Sequence, residues 1–336
     1  MLKVSKSSIH SVWIGGLYGD TPLRHFELNC KTWGELFQRA GYEVETDPNR
    51  ATVCIFIDVN PEQIDELFDQ KGACKWILVR NEPKVVWPAN YCAKNVIKFD
   101  FIIDIGRDPV LSPNSINWPQ YFPEVKEIIS IERSLTRVAI VCGNHLRLTK
   151  GELYSLRRRC IYEIESIDLF GINWTLGLTR RMLMVLFYFR SNFRYKIPIF
   201  LGGLRYWFKK YPRPVDSPAV KDSVLIRYRV SLVIENCEDF LTEKLFDSFF
   251  SGCIPVYVGP NLKNFNIPSE LFIQCQPNIE SIERGIRDAL TIDYQEWFIA
   301  VSSWINDPEV KSLWEANSIY DKIITRITGL LSIVKN

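Results

Sequence analysis

Tyr228–Pro260, YRVSLVIENCEDFLTEKLFDSFFSGCIPVYVGP, decides how the rest of this chain reads. Arg229 to Ile234 is short, apolar and rich in β-branched residues, the composition of a strand buried on both faces. Glu235-Asn236-Cys237-Glu238-Asp239 interrupts it with side chains that compete for backbone hydrogen bonds, so a turn follows. Thr242 is a good N-cap for a helix over Glu243 to Ser251, whose Leu245, Phe246, Phe249 and Phe250 share one side. Gly252 stands where that helix stops, and Cys253 to Val258 is a second buried strand closed by Gly259-Pro260. The unit is βαβ, with a right-handed connection. Lys244 opposes the dipole in the first helical turn, where an acid is favoured. Either it points into water, or a bound anion reverses the sign at the carboxyl end of parallel strands. Spacing alone leaves both readings open.

Working outward, the same alternation recurs. Strands are expected at 11–14, 42–46, 51–57, 75–80 and 99–105, with helices at 24–40 and 61–70, which argues for a parallel, doubly wound sheet in the first 130 residues. Residues 108–135, with Pro109, Pro113, Pro119 and Pro123, read as a linker. A second α/β unit starts at Arg137 to Cys142, continues with a helix at 151–163 and a strand at 167–170, and ends in helices near 279–290, 293–305 and 316–334. The expected domains are therefore 1–130 and 131–336. Glu82 stands just past a strand end, where open α/β sheets place their ligand crevice, and a solvated loop carboxylate is the plainer alternative.

Composition narrows the function classes. The chain has 336 residues and a net charge of +2, so nothing draws it globally to nucleic acid, and no nucleic-acid motif is present. Nine cysteines lie singly, with no Cys-x-x-Cys pair, which suits buried thiols in a reducing compartment. His10, His25 and His145 are too scattered for a metal cluster. Met1 to His10 is polar and no stretch reaches the length of a membrane span, so the cytoplasm is the expected location. One segment is unusual. Residues 169–215 carry nine Lys and Arg and no acid, interleaved with Met182 to Phe189 and Tyr206-Trp207-Phe208. That mixture fits either an anionic membrane interface, contacted through 180–213 at its inner face, or a buried helical insertion with charged ends.

Tyr228, Glu235-Asn236, Phe240-Leu241-Thr242-Glu243-Lys244 and Gly252-Cys253-Ile254-Pro255-Val256-Tyr257 together resemble the donor-site signature of the α1,3/4-fucosyltransferases, glycosyltransferase family 10, in a bacterial-type soluble form. That pattern runs from an aromatic-x-Phe lead through Glu-Asn and Tyr-x-Thr-Glu-Lys to a helix and an Ile-Pro-Val strand. Val230 replaces the lead phenylalanine, a packing change. Phe240 replaces a tyrosine and removes a hydroxyl expected near the donor. The resemblance is dense over the second half of the chain and thin over the first. It implies the GT-B architecture, two Rossmann-like domains facing across a cleft, with acceptor binding in 1–130 and nucleotide-sugar binding in 131–336 around an insertion at about 172–215. It also implies inverting transfer of L-fucose from GDP-fucose to an oligosaccharide or lipid-linked glycan, independent of metal because no Asp-x-Asp motif is present.

By the same resemblance Glu82 is the general base, and an arginine of the 151–163 helix grips the diphosphate: Arg157 first, Arg158 second, the remaining arginines being a solvated face. Lys244 and the amides after Asp239 would share that anion, and Glu235, Asn236 and Glu243 would hold ribose or fucose hydroxyls. Phe240 completes the donor set. Two alternatives stand beside this reading: a related GT-B transferase using another nucleotide sugar, or a non-catalytic protein of the same fold that binds glycan or nucleotide.

Overall fold

A computed structural model describes residues 11–19, 32–118, 133–193, 201–211 and 221–333. The expected helix at 24–40 is therefore seen only as Trp33–Arg39, capped by a reciprocal Thr32–Glu35 box, and half of the proline-rich stretch, residues 119–132, lies outside the described residues. The chain forms two compact units. One comprises Met1–Gly106, Asn114–Tyr121 and Leu313–Asn336, the other Arg107–Pro113 and Phe122–Ser312. The second domain expected at 131–336 thus gives up its last helix to the first unit.

The first unit holds a parallel sheet of β1 (Ser11–Gly15), β2 (Glu43–Val44), β3 (Val53–Ile57), β4 (Lys75–Arg80), β5 (Phe101–Ile105) and β6 (Ser115–Ile116), in the order β2-β1-β3-β4-β5-β6. β6 falls inside the stretch read as linker. Alternation along the strands sends Val53, Ile55, Ile57, Ile77, Val79 and Ile103 to one face, where helices Trp33–Arg39 and Ala316–Ile333 cover them. The long helix contributes Ala316, Ile319, Tyr320, Ile323, Ile327 and Leu331 to that core. The opposite face carries Phe56, Trp76 and Phe99 in mutual edge and tilted contacts. On that face too, Cys54 and Cys74 meet with their Sγ atoms 3.3 Å apart, a pairing across two strands that no local cysteine motif announces.

The second unit holds β7 (Ser134–Val141), β8 (Ile167–Phe170), β9 (Tyr228–Ile234), β10 (Ile254–Val258) and β11 (Ile273–Gln274), all parallel, in the order β11-β10-β9-β7-β8. Read within each unit, the sheets have the strand orders 2-1-3-4-5-6 and 2-1-3-4-5, and in both the winding direction reverses between first and third strands. Those reversals lie between β1 and β3 and between β7 and β9. The connection from β9 to β10 is the expected helix, observed over Lys244–Phe250. Leu245, Phe246 and Phe249 are buried, and Trp304 packs on both phenylalanines. Gly252 takes a positive φ of 66° to turn the chain into β10, a conformation that costs a residue with a side chain.

Candidate functional site

Each strand reversal has a carboxylate directly after the last isoleucine of the third strand: Asp58 after Ile57, and Glu235 after Ile234. Both are fully buried, and both continue the sheet ladder, Asp58 N to Val79 O at 2.9 Å and Glu235 N to Val258 O at 2.8 Å.

In the second unit Glu235 is enclosed by protein donors. Its Oε1 accepts from the Thr242 amide at 3.0 Å and lies 3.5 Å from the Tyr257 hydroxyl. Its Oε2 accepts from the Thr242 hydroxyl at 2.6 Å and lies 3.6 Å from Lys244 Nζ. Lys244 Nζ in turn donates to Thr242 Oγ at 2.7 Å, so one hydroxyl passes the cation's hydrogen bond on to the carboxylate. A Cβ on Gly259 would come within 2.7 Å of Glu235 Cγ, so only glycine leaves room for this carboxylate. Two expectations change here. Glu235 has no open lone pair for a sugar hydroxyl and serves as the anchor that aims Lys244. Thr242, expected as N-cap, spends its hydroxyl on Glu235 and Lys244 Nζ and meets the Lys244 amide only at 3.5 Å, while Glu243 occupies the cap position without a side-chain cap bond.

The helix Tyr154–Glu163 turns two of its three consecutive arginines inward, against the expectation of a solvated face. Arg157 Nε and Nη2 donate to the Ile234 carbonyl at 3.0 and 2.6 Å, and Nη2 also reaches Asn236 Oδ1 at 3.0 Å. Its guanidinium stacks 4.5 Å from the Tyr154 ring centre. Arg158 donates to the carbonyls of His145 and Gly203 and sits over Trp207. Arg159 alone points outward, paired with Glu163. Arg157 therefore caps the strand that ends at the site and holds Asn236 in place, and Asn236 O accepts from Leu153 N at 3.1 Å. Phe240 is buried, 2% exposed, and pairs with Arg107 in an antiparallel bridge, so its ring is core and does not line an open site. Of the amides after Asp239, that of Thr242 is taken up by Glu235, and the bridge itself rests on Asp108 N donating to Asp239 O at 2.9 Å. Glu243 is half-buried beside Lys244.

The sequence reading passed over His145 and Arg147, in the loop that follows β7. Burial first, then the charges of Arg147, Arg157, Lys244 and Arg158, push the His145 imidazole down to about 4, so it is neutral at pH 7. Four cations acting on one ring at the β7/β9 reversal make this end of the sheet electropositive and suited to a polyanion. The available signal was positional: both residues stand within a few positions of a strand's carboxyl end.

In the first unit Asp58 also anchors a loop, with different partners. Its φ is 55°, a left-handed conformation that aspartate tolerates better than most residues. Oδ1 accepts from the amides of Asn81 at 2.7 Å and Glu82 at 3.1 Å, and from the Asn90 side chain. Oδ2 is buried without a hydrogen-bond partner. Desolvation outweighs the amide donors and the Arg80 charge, and raises the carboxyl from 3.8 to about 7. Glu82 is held by its backbone at both ends, N on Asp58 and O on Asn90 at 3.2 Å, while its side chain stays half-exposed. Among the described residues no group of three or more His, Cys, Asp or Glu is placed to hold a metal ion.

No family model matches the chain. A stretch of 71 residues is 39% identical to a fucosyltransferase-like protein of Arabidopsis thaliana, and one of 66 residues is 39% identical to GDP-fucose protein O-fucosyltransferase 3 of Xenopus tropicalis. These matches cover 20% and 17% of the chain and 14% of either relative, so the chain spans about a seventh of their length. Among solved structures, that of an α1,3-fucosyltransferase aligns over 98% of this chain and 91% of its own, with a TM-score of 0.53 at 16% identity. The same kind of enzyme with GDP aligns over 99% and 93%, at 0.50 and 14%. With two doubly wound parallel sheets of one topology, the chain has the GT-B fold, built from two Rossmann-like units.

Proposed function

We propose that this chain is an inverting glycosyltransferase of the α1,3/4 type that moves L-fucose from GDP-fucose to a hydroxyl of an oligosaccharide or glycolipid. The observation that carries the reading is the anchored Lys244 within a group of cations at the β7/β9 reversal. As the bond from fucose C1 to the β-phosphate oxygen breaks, negative charge grows on GDP, and a preorganised ammonium with guanidinium neighbours stabilises it. Arg157 and Arg158 add to this field, while Lys244, held by Thr242 and Glu235, meets the diphosphate with its remaining donors; Asn236 and Glu243 border the donor. Glu82 takes the proton of the acceptor hydroxyl as its oxygen bonds to C1 from the face opposite the leaving group, which inverts the centre. The reaction is proposed to need no metal, the cations taking that role.

Short matches to fucosyltransferase-named relatives support the donor assignment. The alternative of another nucleotide sugar rested on Phe240, and its burial weakens that argument, since a hydroxyl lost from the core need not alter the donor surface. Calorimetry with GDP-fucose, GDP-mannose and UDP-GlcNAc in the presence of EDTA tests the reading. Preference for GDP-fucose that disappears in Lys244→Ala supports it. Preference for another donor transfers the chain to the alternative, and no binding at all favours a non-catalytic fold.

A further inference from the structure

The helix Leu178–Phe193 is apolar on both of its sides, and only one of them is covered. Its inner side is fixed. Tyr188 is buried against Leu146, Leu148 and Trp207, and its hydroxyl accepts from the Leu148 amide at 2.9 Å. The Arg181 guanidinium donates to the carbonyls of Trp174, Trp207 and Lys209 and staples the helix to the segment below it. Its outer side carries Leu178, Met182, Leu183, Leu186 and Phe187, between 54% and 74% exposed. Eight of the fifteen large apolar side chains exposed among the described residues fall within 172–208. Scattered single hydrophobics on a surface are ordinary, but a concentrated, rigidly mounted apolar stripe marks a docking face.

Charge selects the occupant. Arg180 and Arg190 flank the stripe on the same helix, Arg205, Lys209 and Lys210 are exposed on the segment packed against it, and 169–215 contains no acid. A protein partner or a second copy of this chain would bring mixed charge. A bilayer surface with anionic headgroups presents only negative charge around an apolar interior, and long basic side chains reach the headgroups while leucine and phenylalanine enter the acyl boundary.

We propose that the outer face of Leu178–Phe193 seats this protein peripherally on an anionic lipid bilayer. The face was visible in the sequence as a basic and aromatic stretch; the structure separates the residues spent on the protein's interior from those left for lipid. This proposal is independent of the reaction assigned above, and either can fail alone.

The test is flotation of the full-length protein on vesicles of phosphatidylcholine alone and of phosphatidylcholine with about one-third phosphatidylglycerol, at low and high salt. Binding is expected on the anionic vesicles only, weakened by salt, and reduced about tenfold or more by Leu186→Asp/Phe187→Asp. Arg180→Glu/Arg190→Glu should lose the anionic preference. Both variants change exposed side chains, and an unchanged circular dichroism spectrum confirms that they fold. No flotation on either vesicle, or equal flotation of the Leu186→Asp/Phe187→Asp variant, overturns the proposal. So does a dimer in light scattering that this variant dissociates, because the face then belongs to a second copy. GDP-fucose binding that persists without flotation sinks this inference and leaves the transferase reading standing.

Discussion

Asp58 and Glu235 occupy the same place in two copies of one topology, yet they are neutralised in different ways. Glu235 faces an ammonium, a hydroxyl and a phenol at the bottom of its pocket. Asp58 receives only amide donors on one oxygen and nothing on the other. What a buried carboxylate at this position can do depends on the partners supplied around it. In one unit the carboxylate thereby orients a charged residue, and in the other it holds the backbone of a loop that presents Glu82.

The sharpest way to break the comparison is Lys244→Ala. It removes the proposed diphosphate contact and also leaves Glu235 in the situation of Asp58. Turnover should fall by about 10³ in kcat/KM, on the scale of losing one preorganised charge-stabilising group. A lower Tm should appear as well, because the variant leaves Glu235 buried without its ammonium partner. If activity survives, Lys244 does not touch the reacting donor.

Next in size is Glu82→Gln. The geometry that Asp58 provides is retained, only the proposed base is lost, and kcat should fall by about 10² to 10³. GDP-fucose affinity should not change, because the two sites belong to different units. Loss of donor affinity would contradict the division of labour.

Asp58→Asn sharpens the contrast without touching catalysis directly. Folded Asp58 binds its proton more tightly than the unfolded chain does, so between pH 3.8 and about 7 the native state carries the extra proton. Wild-type stability is then lost as pH rises through that window, by at most about 4 kcal/mol. Asparagine keeps the acceptor for Asn81 and Glu82, tolerates the positive φ and cannot ionise. The variant should therefore match wild type near pH 4, exceed it at pH 8, and show a flatter curve of Tm against pH between them. An unchanged slope would mean that another group titrates.

The smallest effect is expected from Phe240→Tyr, which restores the hydroxyl found in the related signature. At a site 2% exposed the new hydroxyl costs about 1–3 kcal/mol if unpaired, and donor preference should not move. A switch in preferred nucleotide sugar would make this residue the specificity determinant after all.

Much of the architecture was legible because strands buried on both faces leave continuous apolar runs, as in VCIFI, KWILVR and SLVI. The turn after Ile234 and the helix Lys244–Phe250 were legible too, but not the roles of Glu235, Phe240 and Thr242, which depend on the partners that enclose them. The inward orientation of Arg157 and Arg158 was hidden for a physical reason. Charged side chains on a helix are ordinarily solvated, and the acceptors that draw these two inward are the backbone carbonyls of Ile234, His145 and Gly203, which leave no trace in the sequence. Asp58 was missed because an acid after an apolar strand resembles the start of any turn; only its enclosure by Asn81, Glu82 and Asn90 distinguishes it. The contact of Cys54 with Cys74 depends on strand register and was equally hidden.

The helix Ala316–Ile333 lies on the first sheet, so the core that begins with Val12 is completed only by residues synthesised some three hundred positions later. On the ribosome the two units must mature out of order. The second unit has all its strands once Gln274 has emerged, while the first waits with that face covered only by Trp33–Arg39 until Leu331 arrives. A fragment cut at residue 130 would therefore inherit a core that lacks Ala316, Ile319, Tyr320, Ile323, Ile327 and Leu331.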